Sequence, residues 1–239
     1  MNTNIPKSRT LGNLLDELAK SYRDNEAVIW KDSRLTYLQL KEEVDIFARS
    51  LLSLGIKRGE NVALIASNRP EWLIAMFAIA KVGATTVAIS TFSTQRELHW
   101  TLKHSRSSCV ISISYLKNHN FIENLQELCP EYKESKVGKL RSKALPRLKS
   151  IIAIEEKSTG AIINWHDLRK MARTTEPKTL QNAQGKVKSG DTCFILYTSG
   201  STAEPKGVIL AHGNVITNGY HIGERQALSD RDRLWFAVP

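Results

Sequence analysis

The chain has 239 residues, 41% of them hydrophobic and 24% charged, and its 34 basic and 24 acidic side chains give a net charge of +10. This composition is ordinary for a soluble globular protein, and the sequence has no internal repeat or low-complexity tract. The longest apolar run, WLIAMFAIA at residues 72–80, is too short to span a bilayer, so no integral membrane segment is predicted. The positive charge favours contact with anions such as nucleotides, nucleic acids or a membrane surface.

The cysteine pattern favours a reducing compartment. Cys109, Cys129 and Cys193 are odd in number, widely spaced and never in a C-x-x-C pattern, so neither a disulfide framework nor a zinc site is predicted. The first ten residues, MNTNIPKSRT, lack the apolar stretch of a signal peptide. We therefore expect a cytoplasmic protein, with peripheral membrane contact as an alternative. Cys193 lies in an apolar run and is expected to be buried.

The first elements predicted in chain order are a helix, two strands and a second helix. Residues 11–22 have leucines at helical spacing along one face. Residues 27–37 predict two short strands around a turn rich in Asp and Ser. Thr36, followed three residues later by Gln39, forms a capping-box pattern that opens the second helix, and Gly55 is suited to end it.

The next unit is the clearest. The run NVALIA at residues 61–66 predicts a buried strand, and TTVAIS at residues 85–90 predicts another. Between them, Asn68 as N-cap with Pro70 in the first turn predicts a helix that Gly83 ends. A strand, a helix and a strand at this spacing form a βαβ unit, which implies parallel pairing and a right-handed crossover.

The alternation continues after residue 90. Thr94 and Glu97 form another capping box, for a helix that runs to about His104. CVISI at residues 109–113 predicts a third buried strand. Repeated alternation of strands and helices predicts an α/β fold with a mostly parallel sheet and flanking helices.

Residues 131–149 form a basic segment, with seven basic and two acidic side chains. We interpret it as a solvated surface excursion before a strand at residues 150–154. A nucleic-acid patch would gain from interleaved aromatic residues, but Tyr132 stands alone. Contact with an anionic membrane is a further alternative, no better supported.

The string YTSGSTAEPKGV at residues 197–208 crowds hydroxyl side chains, glycines and a lysine into one loop. It is not a Walker loop, because Pro205 replaces the second glycine of that pattern and Gly207 replaces its Ser or Thr. The flanking runs CFILYT and GVILA are both strand-like, whereas a Walker loop leads into a helix. The sequence therefore predicts a hairpin with a long polar connection.

Such a hairpin can hold phosphate. Gly200 lets successive backbone N–H groups point outward, the neighbouring hydroxyls are donors, and Lys206 adds a positive charge. By composition alone, an ordinary hydrophilic turn would be the simpler interpretation. The complete string, rather than its composition, favours the phosphate-binding interpretation over an ordinary turn.

TSGSTAEPKG matches nine of ten positions of the pattern T-S-G-[ST]-T-G-x-P-K-G, and in this it resembles the adenylate-forming superfamily of acyl-CoA synthetases, luciferases and peptide-synthetase adenylation domains. Residues 35–90 also resemble the early segment of that superfamily, as do GVILAHGNV after the loop and DRLWFAVP near the end. The stretch from residue 128 to residue 155 is most similar to fatty-acyl and related acyl-CoA synthetases.

The resemblance implies a two-step reaction that uses a carboxylic acid, Mg²⁺-bound ATP and coenzyme A. The carboxylate attacks the α-phosphate to give an acyl-adenylate and pyrophosphate, and the thiol of coenzyme A then takes the acyl group and releases AMP. By the same resemblance, the hairpin loop would hold the β- and γ-phosphates and spread the charge of the departing pyrophosphate. The implied phosphate-binding residues are Thr198, Ser199, Gly200, Ser201, Thr202, Lys206 and Gly207.

The sequence departs from the superfamily pattern in two ways. Ala203 replaces the second loop glycine, which matters only if that position needs a positive φ. The superfamily's acyl pocket, adenine motif, hinge and catalytic lysine would follow Pro239, so no catalytic residue is assigned. We expect a partial AMP-binding domain over residues 1–239: an α/β portion at 10–190, then the hairpin and the start of the next subdomain at 191–239, with the C-terminal domain absent. The alternative is a non-catalytic remnant, or a nucleotide-binding half that needs a second chain.

Several other side chains are assigned structural roles. His99, His104 and His119 lack partners at metal-ligand spacing, and His212 is expected near a helix start. The tryptophans are expected in packing rather than in base stacking, among them Trp235 in RLWFAVP, which predicts an apolar strand with exposed surface.

Overall fold

The computed structural model describes residues 6–198 and 205–236 of the chain. Within them, strands and helices alternate along most of the sequence. The helices are α1 (Leu11–Ser21), α2 (Tyr37–Ser53), α3 (Pro70–Lys81), α4 (Gln95–His104), α5 (Phe121–Leu128), α6 (Trp165–Lys170), α7 (Pro177–Gln184) and α8 (His212–Arg225), with 3₁₀ turns at Pro130–Lys133 and Met171–Thr174. The strands are β1 (Glu26–Trp30), β2 (Ser33–Thr36), β3 (Asn61–Ile65), β4 (Thr85–Ala88), β5 (Cys109–Ser112), β6 (Tyr115–Leu116), β7 (His119–Asn120), β8 (Ser150–Ala153), β9 (Ile162–Asn164), β10 (Thr192–Thr198) and β11 (Lys206–Ala211).

A seven-stranded sheet forms the centre of the fold, in the order β11-β10-β4-β3-β5-β8-β9. All neighbouring strands from β10 to β9 run parallel, and only the edge strand β11 is antiparallel to its neighbour. The predicted α/β class with a mostly parallel sheet is confirmed. The runs of β3, β5 and β8 are mostly apolar, with one polar residue at an end of each, because strands in the middle of such a sheet are buried on both faces.

Local capping signals set the helix boundaries. Both capping boxes form, from Thr36 to α2 and from Thr94 to α4, with each side-chain oxygen accepting from the backbone N–H three residues later. The predicted N-cap of α3 was wrong. Pro70 occupies the first helical position, where its fixed φ fits, so the cap falls on Arg69 and not on Asn68. Gly83 follows α3 with φ of 75°, as its predicted stop role requires.

Helices α1, α2, α3, α6 and α7 pack against one another beside the sheet. Val44, Phe47 and Leu51 of α2 are fully buried. The ring of Phe47 stacks on that of Trp165 at 3.8 Å between centroids, which joins α2 to α6. The amphipathic pattern of α2 is thus satisfied by tertiary packing, the usual source of helix stability in proteins.

One charged side chain is enclosed between these helices. Lys81, at the end of α3, is 1% exposed, and its Nζ lies 2.6 Å from a carboxylate oxygen of Asp16 and 2.6 Å from one of Asp45. Lys41 also pairs with Asp45, at 2.5 Å. A Cβ on Gly12 would come within 2.8 Å of Lys81 Cγ, so glycine allows α1 to lie close to the end of α3. The single buried charge of Lys81 is therefore balanced by two carboxylates, one from α1 and one from α2.

The basic segment 131–149 lies on the surface as predicted for its charged groups, since all seven basic side chains are exposed. It is nevertheless anchored, because Tyr132, Leu140, Leu145 and Leu148 are buried in the main core. The basic side chains of the segment are therefore solvated as predicted, whereas its apolar side chains are part of the core.

Two further segments differ from prediction. Residues 174–190, expected only as polar chain, contain α7, which buries Leu180. Residues 233–236, expected as a strand, pair with no strand in the described part of the fold, and residues 237–239 lie outside it. The side chain of Trp235 is 88% exposed, so its predicted packing role was wrong, whereas the predicted exposed apolar surface is confirmed at Leu234, Trp235 and Phe236. None of the described helices is both long and apolar enough to cross a bilayer.

Candidate functional site

The predicted hairpin is present. Strands β10 and β11 pair antiparallel, with Thr198 opposite Lys206 and Tyr197 opposite Gly207. Strand β10 also pairs parallel with β4, so the hairpin belongs to the central sheet. Antiparallel strands can be joined by a short connection, and here that connection is the sequence between Thr198 and Lys206.

The structure describes three of the seven predicted phosphate-binding residues. Thr198, Lys206 and Gly207 lie together at the end of the hairpin, and all three are exposed. Lys206 makes no ion pair and no side-chain hydrogen bond within residues 6–198 and 205–236, so its ammonium group can bind an external anion. The other four predicted residues, Ser199, Gly200, Ser201 and Thr202, lie outside the described part of the chain. Ala203 lies outside it as well.

The end of the hairpin lies at the edge of the sheet where ligands bind in this class of fold. Because β10 runs parallel to β4, β3 and β5, Thr198 lies at the same edge as the carboxyl ends of those strands. Open parallel sheets bind their ligands in the crevice outside this edge. The strand order therefore places Thr198 and Lys206 at the edge where ligands bind in this class of fold.

A polar network links neighbouring loops at this edge, and sequence reasoning missed it. Arg69, after β3, forms an ion pair with Glu155, after β8, and its Nε lies 2.8 Å from a carboxylate oxygen of Glu71. Glu155 also accepts a hydrogen bond from the backbone N–H of Ser114, after β5, at 2.8 Å. Three loops at the carboxyl edge are thus held together by one carboxylate.

An aromatic cluster supports the end of strand β10, next to the predicted phosphate-binding residues. The hydroxyl of Tyr197 is hydrogen-bonded to Nδ1 of His104, at 2.8 Å, and the His104 ring stacks on Trp100 at 4.5 Å. Trp100 also meets Tyr197 edge to face, at 5.7 Å. A Cβ on Gly207 would lie 3.1 Å from Ile195 Cγ2 and 3.4 Å from the Tyr197 ring, so a side chain there would crowd Ile195 more than the ring. Burial raises the pKa of Tyr197, opposed by a hydrogen bond to Ser105.

This cluster fixes Tyr197 directly before Thr198 and joins the hairpin to α4. His104 and Tyr197 are 93 residues apart in the sequence, so no local sequence pattern predicts their contact. The one available signal was an aromatic residue immediately before the T-S-G string. We regard Tyr197 and His104 as residues that position the loop.

Changing Tyr197 to phenylalanine should lower the free energy of unfolding by about 1 kcal/mol, because His104 loses its hydrogen-bond partner while the ring packing remains. Chemical denaturation of the variant and the parent measures this difference. Tyr115→Phe is the matched control, since the Tyr115 ring is 70% exposed and should change stability by less than about 0.5 kcal/mol. Equal stability of the two variants would contradict a structural role for the Tyr197 hydroxyl.

His212 begins α8, as predicted, and is fully buried. Its Nδ1 accepts a hydrogen bond from the backbone N–H of Leu11, at 3.2 Å, and so caps the start of α1 from 201 residues away. Its own backbone N–H donates to the carbonyl of Asp191, while Nε2 has no partner among the described residues. Burial lowers the pKa of His212, and the nearby Asp191 opposes that effect only in part.

A neutral His212 makes stability depend on pH. In the unfolded chain His212 is protonated below about pH 6.5, whereas in the folded protein it is protonated only at a lower pH, because its pKa is lowered. Between these two pKa values, the free energy of unfolding should fall by up to ~1.4 kcal/mol for each unit by which the pH is lowered. His212→Asn keeps an acceptor near Leu11 and removes the titration, so its stability should change less between pH 7 and pH 5. His221→Asn, at an exposed histidine, should retain the parent slope. Urea denaturation across this range tests both, and identical slopes in all three proteins would refute the assignment.

Cys193 has the environment of a structural residue. Cys193 is buried, as predicted, and burial raises the pKa of its thiol to about 11, far from that of a reactive nucleophile. Over residues 6–198 and 205–236, no three His, Cys, Asp or Glu side chains are grouped to hold a metal ion.

Comparison with known proteins agrees with this geometry. The family model described as AMP-binding enzyme matches residues 15–239. The chain belongs to this family. The match covers the sheet, the hairpin and the flanking helices together. It therefore agrees with the superfamily resemblance of the TSGSTAEPKG string.

Individual relatives are acyl-CoA synthetases and ligases. The chain is 36% identical over 232 residues to YngI of Bacillus subtilis, whose acyl-CoA synthetase name is provisional, and 28% identical over 235 residues to the mitochondrial medium-chain acyl-CoA ligase ACSF2 of Danio rerio. These matches cover 96% and 98% of the chain, but 42% and 39% of the relatives' own lengths. Among solved structures, the long-chain-fatty-acid-CoA ligase FadD1 of Archaeoglobus fulgidus shares the fold, with a TM-score of 0.72 at 19% identity over 95% of the chain and 41% of that structure.

Proposed function

We propose that the chain forms part of an AMP-forming acid–thiol ligase, which activates a carboxylic acid with ATP and transfers the acyl group to coenzyme A. The observation that carries the proposal is the hairpin, which presents Thr198 and Lys206 at the ligand-binding edge of a sheet of the AMP-binding family. The relatives' names support acid activation and coenzyme A ligation, and favour fatty-acyl substrates of medium or long chain.

In this proposal the hairpin holds the β- and γ-phosphates of ATP. The Lys206 ammonium and the Thr198 hydroxyl bind phosphate oxygens and stabilise the negative charge that develops on the leaving pyrophosphate. Mg²⁺ would arrive bound to the ATP phosphates and neutralise further charge there. The aromatic cluster of Tyr197, His104 and Trp100 keeps the hairpin in place while the phosphates change position. The complete proposed set is Thr198, Ser199, Gly200, Ser201, Thr202, Lys206 and Gly207.

The division of the chain into an α/β portion at 10–190 and a hairpin portion at 191–239 also stays a proposal, although β10 shares one sheet with β4. A second chain as partner is also a proposal. It is motivated by the length of the matched relatives, which are more than twice as long as this chain.

Carboxylate-dependent ATP–pyrophosphate exchange tests the proposed function. We expect the 239 residues by themselves to bind ATP but to show no exchange, because the relatives have further residues that the chain does not match. A chimera in which the chain replaces its matching segment of YngI should exchange pyrophosphate when a fatty acid is added. Failure of the folded chimera to exchange, with unmodified YngI active in the same assay, would refute the proposal.

A further inference from the structure

A basic pocket lies at the amino edge of the sheet, opposite the edge that carries Thr198 and Lys206. It has a volume of about 310 Å³ and lies where β3, β5 and β8 begin. Because these three strands are neighbours and parallel, the segments that lead into them converge on one spot. The lining residues are Gly59, Glu60, Asn61, Arg106, Ser108, Arg147 and Lys149.

Positive charge dominates this pocket. Lys149 Nζ lies 2.6 Å from one carboxylate oxygen of Glu60, and the other oxygen accepts from the backbone N–H of Lys57 at 2.8 Å. The one carboxylate in the lining is therefore already satisfied. The guanidinium groups of Arg106 and Arg147 form no ion pair or hydrogen bond with the described residues, so the pocket keeps two unpaired cations.

The backbone at Arg106 adds a second observation. Arg106 has φ of 53°, in the left-handed region, and follows α4 at the position where glycine is preferred. The backbone N–H groups of Arg106 and Ser107 donate to the carbonyls of Lys103 and Leu102, which gives the usual two-bond ending of a helix. Arginine is conformationally disfavoured there, but Ala227 after α8 has the same backbone with φ of 52°, so the conformation fixes where the Arg106 side chain leaves the backbone and is not by itself a sign of a ligand.

We propose that this pocket is a binding site for a phosphate monoester, separate from the phosphate hairpin and independent of the proposed ligase function. Two guanidinium groups offer planar pairs of donors that match phosphate oxygens. A volume of about 310 Å³ is at the small end for ligand pockets, which suits a phosphate with a short attached group. The basic segment 131–149 supplies Arg147 and Lys149, which gives its charge a specific role. The ester is either a free phosphorylated metabolite or the headgroup of a lipid such as phosphatidic acid.

Two probes separate these sources. Glycerol 3-phosphate, titrated into the isotope-labelled chain, should give saturable shifts of the backbone amides of Gly59 and Ser108. Sedimentation with phosphatidylcholine vesicles, with and without phosphatidic acid, tests the lipid headgroup. The double variant R106Q/R147Q should weaken either form of binding at least tenfold, whereas Arg173→Gln, an exposed arginine outside the pocket, should leave it unchanged.

The outcomes are distinct. Shifts or vesicle binding that the double variant removes support the proposal, and the probe that binds identifies the source. Binding that survives in the double variant, or that falls equally in Arg173→Gln, overturns it. Absence of binding with both probes overturns it as well. Shifts confined to Thr198, Lys206 and Gly207 also overturn it, but leave the proposed ligase function intact.

Arg106→Gly separates binding from folding. Glycine relieves the left-handed backbone, so this variant should have an unfolding midpoint at or above that of the parent and yet bind the probe several-fold more weakly. A variant that is more stable and binds equally well would show that Arg106 does not contact the ligand.

Discussion

Replacing Lys81 by methionine should lower the free energy of unfolding by about 3 kcal/mol, although the side chain is distant from the proposed phosphate site. The lysine is 1% exposed, and methionine fills a similar volume. What is lost is the charge that balances Asp16 and Asp45, whose side chains are only 37% and 23% exposed. Without the lysine, the two carboxylates that each lie 2.6 Å from its Nζ face each other, with Lys41 on Asp45 and the Gln184 amide on Asp16 as their remaining partners. Removing both sides of a buried ion pair, in contrast, is often tolerated.

Lys41 supplies the control for this prediction. It pairs with the same Asp45, but along the surface of α2 at a spacing of four residues, so Lys41→Met should cost only about 0.3–0.5 kcal/mol. The triple variant D16N/D45N/K81M should recover part of the loss, because the one charge it leaves without its partner, that of Lys41, is partly exposed to water. Guanidinium denaturation of the four proteins measures these differences. If Lys81→Met and Lys41→Met cost the same, burial of Lys81 has no energetic consequence and the explanation is wrong.

Features encoded by neighbouring residues were predictable from the sequence. The capping boxes of α2 and α4 depend on residues three apart, and the stop at Gly83 depends on one backbone conformation. The parallel sheet followed from the alternation of apolar strands and helices, because a short crossover helix permits few other topologies. The hairpin was found for the same reason, since its motif is contiguous, whereas its binding of phosphate stays a proposal.

Features that join distant residues were not predictable in this way. Leu11 and His212 are 201 residues apart, and His104 and Tyr197 are 93 apart, so no window of sequence contains both partners. Lys81 is similar: at the end of α3 it has the pattern of an ordinary exposed cation near a helix C-terminus, and only the approach of α1 and α2 encloses it. Residues 174–190 were missed because α7 has only eight residues and one buried side chain, Leu180, which are too few apolar positions to define a period in the sequence.

Changing Lys206 to alanine should weaken pyrophosphate binding by the 239-residue chain by roughly 10- to 100-fold, as expected for the loss of a charge-assisted contact of about 1.5–3 kcal/mol. In the YngI chimera, the same change should reduce the rate of ATP–pyrophosphate exchange by about 10²–10³-fold, because the ammonium group acts on charge that develops as the pyrophosphate leaves. Titration calorimetry measures the first effect and isotope exchange the second.

Lys178→Ala is the matched control, because Lys178 is an exposed lysine on α7 and removes the same unit of charge. It should leave both measurements nearly unchanged. Lys206→Arg should restore much of the pyrophosphate affinity but less of the exchange rate, since arginine keeps the charge and changes the position of the donors. A loss in Lys178→Ala equal to that in Lys206→Ala would show that net charge, and not the hairpin, attracts the phosphates. An unaffected Lys206→Ala would contradict the proposed role of Lys206, since no other residue of the proposed set carries a positive charge.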